Sequence, residues 1–416
     1  MGGSGIRATA VLLAAVVAIA VLAPFPSASA QTAITITHWQ HFHEGRAMAL
    51  GGLKQVFERQ NPGVRIVTDY PPYAGFFEKM ITSLVAGTGP DVFQAPHFMA
   101  EQLINAGFLT PVPSTVATSA DIESTYLKWT VERFKHRGRH YGMPVDAQHI
   151  VMFINDELAR ASGLDPARPP ATWDELIEQA RRATRRDARG EIIQAGLDTR
   201  YKQAIYATLL FQYIDGPVVD ASKREVTYNS PAGLDAFRVI ESLLRGPNAV
   251  DSPRFLPGSR KFELKRAVFY LNHPVARSVI GLIGPDIKYT IAPIPAIRGK
   301  RPIAPGSHWA YVVNAKSKNA EMAWKWIDFL TSRVGMRAWM KEAGDAPYRM
   351  DLIQEEPNVA VRETLLRNTR VTDFAGFCYP ALDDLVDALA LTTRPVAEIA
   401  AEAKAKHDAC VREALK

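Results

Sequence analysis

From Ile34 onward the chain alternates two kinds of segment, and this alternation limits its possible folds more than any other feature. Ile34 and Ile36 interleave with Thr35 and Thr37, a two-residue period that fits a strand with one buried face. Leu50, Leu53, Val56 and Phe57 then recur at helical spacing, and Asn61-Pro62-Gly63 stops the helix. The β-branched run VRIVT (64–68) reads as a second strand. Phe77, Met80, Ile81, Leu84 and Val85 form the next helical stripe, broken by Gly87-Thr88-Gly89-Pro90. Asp91-Val92-Phe93 opens a third strand, and Met99, Leu103 and Ile104 a third helix. Strands alternating with helices of this length imply a largely parallel sheet covered on both faces.

A second region begins near Val151. Thr172 and Glu175 have the spacing of a capping box ahead of Trp173, Leu176, Ile177 and Ala180. Ser230-Pro231 places a cap before proline at a first helical position, and Leu234, Phe237, Ile240 and Leu244 follow on one face. After Asn319 the run AEMAWKWIDFLTS is again helical. With 416 residues and no repeat, low-complexity tract or long linker, the expectation is two compact α/β lobes.

The first 30 residues do not belong to that body. Arg7, an apolar run over 10–23 and Ala28-Ser29-Ala30 have the form of a secretory leader cleaved after Ala30. Fourteen apolar residues are short for a membrane span. The expected mature protein is therefore exported, beginning at Gln31. Its formal charge, +6 less Arg7, is modest, and the basic cluster RRATRRDAR (181–189) reads as a solvated helix end with no nucleic-acid platform. Only Cys378 and Cys410 are present. The segment between them reads as a helical hairpin turning at Arg394-Pro395, with each cysteine 16 residues from 394. Equal rise along antiparallel helices brings the pair together, so a disulfide is expected.

Catalytic signatures are missing. There is no G-x-S-x-G elbow, no Walker-type loop and no G-x-G-x-x-G after a strand. His43-Glu44 begins like H-E-x-x-H, but Ala47 stands where the second histidine belongs. His38, His41 and His43 offer nitrogens to a metal, without a second ligand cluster to close a tetrahedral set. Scattered carboxylates such as Asp146 and Asp345 leave a glycoside hydrolase as an alternative.

Five segments in order resemble the maltose-binding-protein-like solute-binding proteins of ABC importers. They are ITITHW with QVFERQNPGVRIV, then YAGFFEKMITSLVAGTGPDVF (73–93), then AGFLTP with YGMPVD, then 152–174 ending PPATWD, and finally GSHWAYVVNAKSKNAEMAWKWIDFLTS (306–332). The segments QAPHFMAEQL and AVFYLNHPVAR (267–277) depart from the family pattern, and such segments tend to contact ligand. The resemblance implies a non-enzymatic, monomeric, periplasmic protein of two-lobed α/β periplasmic-binding-protein fold with no cofactor. Its ligand cleft lies between lobes of 31–148 plus 310–346 and 149–309 plus 347–416. Crossings fall near 146–152, 310–314 and 344–348, and membrane permease subunits are the partner.

Strand ends and family position nominate Trp39, His41, Tyr73, Gln94, His97, Asp146, Tyr201, Lys202, Trp309, Arg349 and Tyr379 for solute contact. Each has a plainer reading. Trp39 and Trp309 serve equally as core, His97 as a helix cap, Asp146 as hinge support, and Tyr73 and Tyr379 as interface aromatics. Aromatic platforms beside planar polar groups suit a carbohydrate or polyol. Lys202 and Arg349, if both face the cleft, suit instead an anionic solute such as a glycerol phosphate or sugar acid.

Overall fold

The computed structural model describes residues 34–214, 216–220, 222–371 and 378–414. The expected leader and its cleavage point lie outside the described residues.

Two five-stranded sheets organise the chain. The first runs in the order Val64–Asp69, Ile34–Trp39, Val92–Pro96, Trp309–Val313, Met143–Pro144. The second runs Tyr289–Ala292, Val151–Asn155, Ala267–Asn272, Ile192–Asp198, Arg185–Arg186. The expected parallel arrangement holds where strand, helix and strand follow in sequence: Ile34–Trp39 pairs in parallel with both Val64–Asp69 and Val92–Pro96. It fails where the chain changes lobe. Trp309–Val313 runs antiparallel to Val92–Pro96, and Val151–Asn155 antiparallel to Ala267–Asn272. A strand that enters a lobe from the cleft must run against strands that leave toward it. Both sheets are therefore mixed, and both aim the ends of their parallel strands at the same gap.

Local sequence explains the elements. Helix Glu44–Gln60 buries Leu50, Leu53 and Phe57 against Ile36 and Ile66, and helix Phe76–Ala86 adds Met80 and Leu84. In the first strand Ile36 and His38 face inward, and His38 Nδ1 accepts from Trp326 Nε1 at 3.0 Å. Trp173, Trp324, Trp326 and Trp339 are all buried, so none is a surface residue. Thr172 Oγ1 accepts from Glu175 N–H as capping chemistry requires, but the Glu175 carboxylate reaches back to Ala171 N–H instead of Thr172. Asp91 ties strand ends together, accepting from Thr37 N–H and Oγ1 and from Ser317 Oγ. In the second lobe, Met152, Ile154, Leu176, Leu209, Phe237 and Phe269 share one core.

The lobe boundaries differ from expectation. Trp309 already pairs with Pro96 in the first sheet. At the other end, Leu127 N–H donates to Tyr348 O at 2.9 Å and Arg349 bridges Tyr126. Residues 350–355 pack on Ser119–Thr125, so the first lobe extends past 346. The chain joins the second lobe after Glu356, where Val359–Glu363 packs against Tyr289–Ala292.

Cys378 and Cys410 are disulfide-bonded, with Cα atoms 5.7 Å apart. The bond closes helices Pro380–Leu391 and Val396–Ala414 into a hairpin. Closing a loop of this length removes about 3–4 kcal/mol of unfolded-chain entropy. It also anchors residue 379, the next in sequence, at the start of a helix.

Candidate functional site

The site begins with a buried charge cluster where the lobes join. Gly45 sits so close to Glu342 that a Cβ there would lie 2.6 Å from its carbonyl oxygen. This approach brings Arg46, in the first turn of helix Glu44–Gln60, onto Asp345 through Nε (3.1 Å) and Nη2 (2.9 Å). The same Nη2 donates to Asp146 Oδ2 at 2.8 Å. Asp146 Oδ1 accepts from Trp309 N–H at 2.8 Å, and Asp345 Oδ1 accepts from Gln148 Nε2 at 2.9 Å. One guanidinium thus fastens helix Glu44–Gln60 to two separate chain segments directly, and through Asp146 to a third at Trp309. Burial pushes Asp146 up to about 6, with Arg46 pulling the other way and Asp345 adding to the rise. Burial alone lowers the Arg46 pKa, but Asp345 and Asp146 outweigh it and the net shift is upward.

Above this cluster lies a cavity of about 230 Å³ between the lobes. The first lobe contributes His41, His43, Tyr73, His97, Phe98 and Trp309. Trp309 is the centre of an aromatic group: it stacks on Phe77 (5.7 Å, 14°), and His41 (4.7 Å), Phe76 (6.2 Å) and Tyr73 (6.3 Å) surround it. The second lobe contributes Tyr201, Gln203, His273, Val275 and Tyr379, while Gln148 and Ser307 come from the crossings. Tyr201 Oη lies 2.8 Å from His273 Nε2, and His273 Nδ1 lies 3.2 Å from His149 O. Burial lowers His41 and His273 to about 3 and His43 to about 4, so all three are neutral at pH 7.

Of the residues nominated from sequence, His41, Tyr73, His97, Asp146, Tyr201, Trp309 and Tyr379 line this cavity. Gln94 lies behind it, fully buried, with its amide beside His41 but without a well-formed hydrogen bond. Three nominees lie elsewhere. Trp39 is covered by Lys79, whose Nζ is 4.2 Å from the ring centroid and pairs with Asp69. Lys202 is salt-bridged to Asp387 at 2.7 Å. Arg349 packs over Tyr126 and bonds Asp351 and Thr331 O. A lysine or arginine near a loop is drawn to the nearest carboxylate, and here that carboxylate is outside the cleft. Within the cavity wall, Arg46, Gln148, Gln203 and His273 went unnominated. His273 lies in the segment AVFYLNHPVAR, which does depart from the family pattern.

The three histidines of HWQHFHE diverge: His38 is in the core, His41 in the cavity, and His43 caps helix Glu44–Gln60 by position. Among the described residues no three His, Cys, Asp or Glu side chains converge as a metal site. A larger groove of about 430 Å³, lined by Arg277, Arg337, Glu355 and Glu356, does not lie at the strand ends. Its charges satisfy one another through the Arg277–Glu356 and Arg337–Glu355 pairs.

Two α/β lobes with strand ends facing a shared aromatic and polar cavity define a cleft-type binding protein. The chain belongs to the bacterial extracellular solute-binding protein family, which matches residues 42–337. It is 23% identical over 330 residues to a putative binding protein of Brucella abortus, covering 76% of this chain and 78% of that one. It is 24% identical over 161 residues to the sn-glycerol-3-phosphate-binding periplasmic protein UgpB of Escherichia coli, covering 37% and 36% respectively. The solved maltose/maltodextrin-binding domain MalE of Bdellovibrio bacteriovorus, bound to maltotriose, superposes with a TM-score of 0.77 at 18% identity. That match covers 91% of this chain and all of the other. At such identity the structural likeness speaks to fold alone.

Proposed function

We propose that this protein is the exported, monomeric binding component of an ABC importer and that it captures a neutral carbohydrate or polyol. The observation that carries the choice of solute is the state of the cations. Arg46, which lines the cavity, is shared by two carboxylates, so the cluster carries no surplus positive charge. Lys202 and Arg349, which argued for an anion, are paired outside it. What remains in the walls is aromatic rings, amides and neutral imidazoles, the chemistry that meets C–H faces and hydroxyl edges. The sugar ligand of the Bdellovibrio protein agrees with this reading, and the partial match to UgpB keeps glycerol phosphate in the test.

Capture works by differential contact. Tyr73, His97 and Trp309 sit on one lobe and Tyr201, His273 and Tyr379 on the other, so a solute touches both sets only when the lobes are together. The membrane subunits then read the closed shape. Turnover is not part of this function. Asp146, the cavity's one carboxylate among the described residues, accepts from Arg46 and Trp309 N–H and has no opposed acid.

Thermal-shift and calorimetric titration with neutral sugars, sugar alcohols, sn-glycerol 3-phosphate and divalent metals test the proposal. Stabilisation by neutral sugars or polyols is the expected result. Stabilisation by glycerol phosphate or a metal alone, or hydrolysis of a glycoside, overturns it.

A further inference from the structure

We propose that the cleft presents Tyr201 to the solute as a fixed hydrogen-bond acceptor, set by His273, and so selects solutes by the hydroxyl donors they offer. This inference deepens the neutral-polyol reading and rests on it.

The carbonyl of His149 can only accept, so His273 Nδ1, 3.2 Å away, carries the ring proton. A neutral imidazole has one, and His273 is neutral because burial holds it near 3. Its Nε2 is therefore an acceptor, and at 2.8 Å it takes the Tyr201 hydroxyl proton. Gln203 Oε1, at 3.4 Å, is too distant to compete for it. Tyr201 Oη is left with lone pairs only on its cavity side. The opposite tautomer sets two lone pairs against each other at 3.2 Å.

A solute hydroxyl can donate to the Tyr201 lone pairs. A phosphate or carboxylate oxygen cannot, so the position also works against an anionic group placed there. His273 is a positioning residue: it touches the acceptor and fixes its polarity.

Two measurements test this. Long-range ¹H–¹⁵N correlation spectra of protein labelled with ¹⁵N-histidine, with His273→Gln assigning the signal, report the tautomer without any ligand. Protonated Nδ1 and bare Nε2 are expected. A proton on Nε2 overturns the relay whatever the solute. The second uses D-glucose, D-galactose, D-mannose and D-tagatose, carrying each sugar that binds forward as its deoxy and deoxyfluoro derivatives. Fluorine accepts weakly and cannot donate. At one hydroxyl, deoxy and fluoro forms are both expected to lose affinity at least about tenfold, corresponding to one well-made hydrogen bond. Tyr201→Phe should erase that loss. Fluoro sugars binding as well as the parent at every position overturn the acceptor assignment. If the Nδ1–H tautomer stands and only sn-glycerol 3-phosphate binds, the neutral-solute reading fails and the selectivity assigned to the relay fails with it.

Discussion

The two walls of the cleft are built on different principles. The first-lobe wall is a packed aromatic group, with Trp309 only 8% exposed among Phe76, Phe77, His41 and Tyr73. Its shape follows from ring packing, which is stiff and insensitive to proton position. The second-lobe wall holds polar groups aimed by hydrogen bonds, Tyr201 by His273 and His273 by His149, beside Tyr379, which follows the disulfide-bonded Cys378. Its polarity is fixed by those bonds. One wall supplies surface and the other supplies selection. Substitutions in the first should therefore cost stability and affinity together, and those in the second affinity with little stability.

Removing what joins the walls has the largest expected effect. Arg46→Ala leaves Asp146 and Asp345 buried without their cation and should lower stability by about 3–5 kcal/mol. Chemical denaturation measures this, and a loss below 1 kcal/mol refutes the joining role. Trp309→Ala should cost about 3–5 kcal/mol as well, from the lost packing of a large core aromatic. Cys378→Ser with Cys410→Ser should cost about 3–4 kcal/mol by freeing the hairpin loop. It should also weaken binding through Tyr379. Tyr201→Phe is the sharp contrast: about 1 kcal/mol of stability, for one hydrogen bond, with a tenfold or greater loss of affinity. If Trp309→Ala and Tyr201→Phe shift melting temperature and affinity in the same proportion, the division between the walls is wrong.

How far the sequence carried this differs between the walls for the same reason. The first lobe was legible because its elements are local and periodic: strand alternation separated Ile34 and Ile36 from Thr35 and Thr37, and helical stripes picked out Leu50, Leu53, Met80 and Leu84. The aromatic wall follows closely, since Tyr73, His97 and Trp309 sit where strands end. The second wall depends on pairings far apart in sequence. His273 acts on Tyr201 across 72 residues and takes its orientation from His149 across 124. No periodicity encodes such a partner. Charge misled for a related reason. Arg349 was visible as a cation, but the nearby Asp351 that holds it decides its direction. The mixed sheets are not encoded in the local pattern, because strand direction depends on which lobe the chain comes from.

Acid should act on both walls, through their histidines. Burial holds His38, His41 and His273 near 3 and His43, His149 and His407 near 4. The unfolded chain protonates histidine near pH 6.5, so below that pH it binds protons the native state refuses. Stability is complete above about 6.5 and falls as pH drops toward 4, by up to about 1.4 kcal/mol per histidine per unit. Asp146 and Asp198, raised to about 6, oppose this between 6 and 4 because the native state protonates first, but they are outnumbered. Melting temperatures at pH 7.5 and 5 should show a clear drop. A flat profile contradicts the neutral, buried histidines on which the acceptor relay depends.

The smallest effect is expected at Lys202, and it separates the walls from their surroundings. Lys202 immediately follows Tyr201 in the chain, yet its ammonium pairs with Asp387 on helix Pro380–Leu391. Lys202 is partly exposed and Asp387 more so, and an exposed pair of this kind is worth about 0–1 kcal/mol. Lys202→Ala should therefore move stability by less than about 1 kcal/mol and leave neutral-solute affinity unchanged, while its neighbour Tyr201→Phe loses affinity about tenfold or more. Calorimetry on the two variants side by side measures whether selection resides in the hydrogen-bonded hydroxyl or in nearby charge. A large affinity loss in Lys202→Ala, above all for an anionic solute, places the charge in the cleft and removes the basis for a neutral ligand.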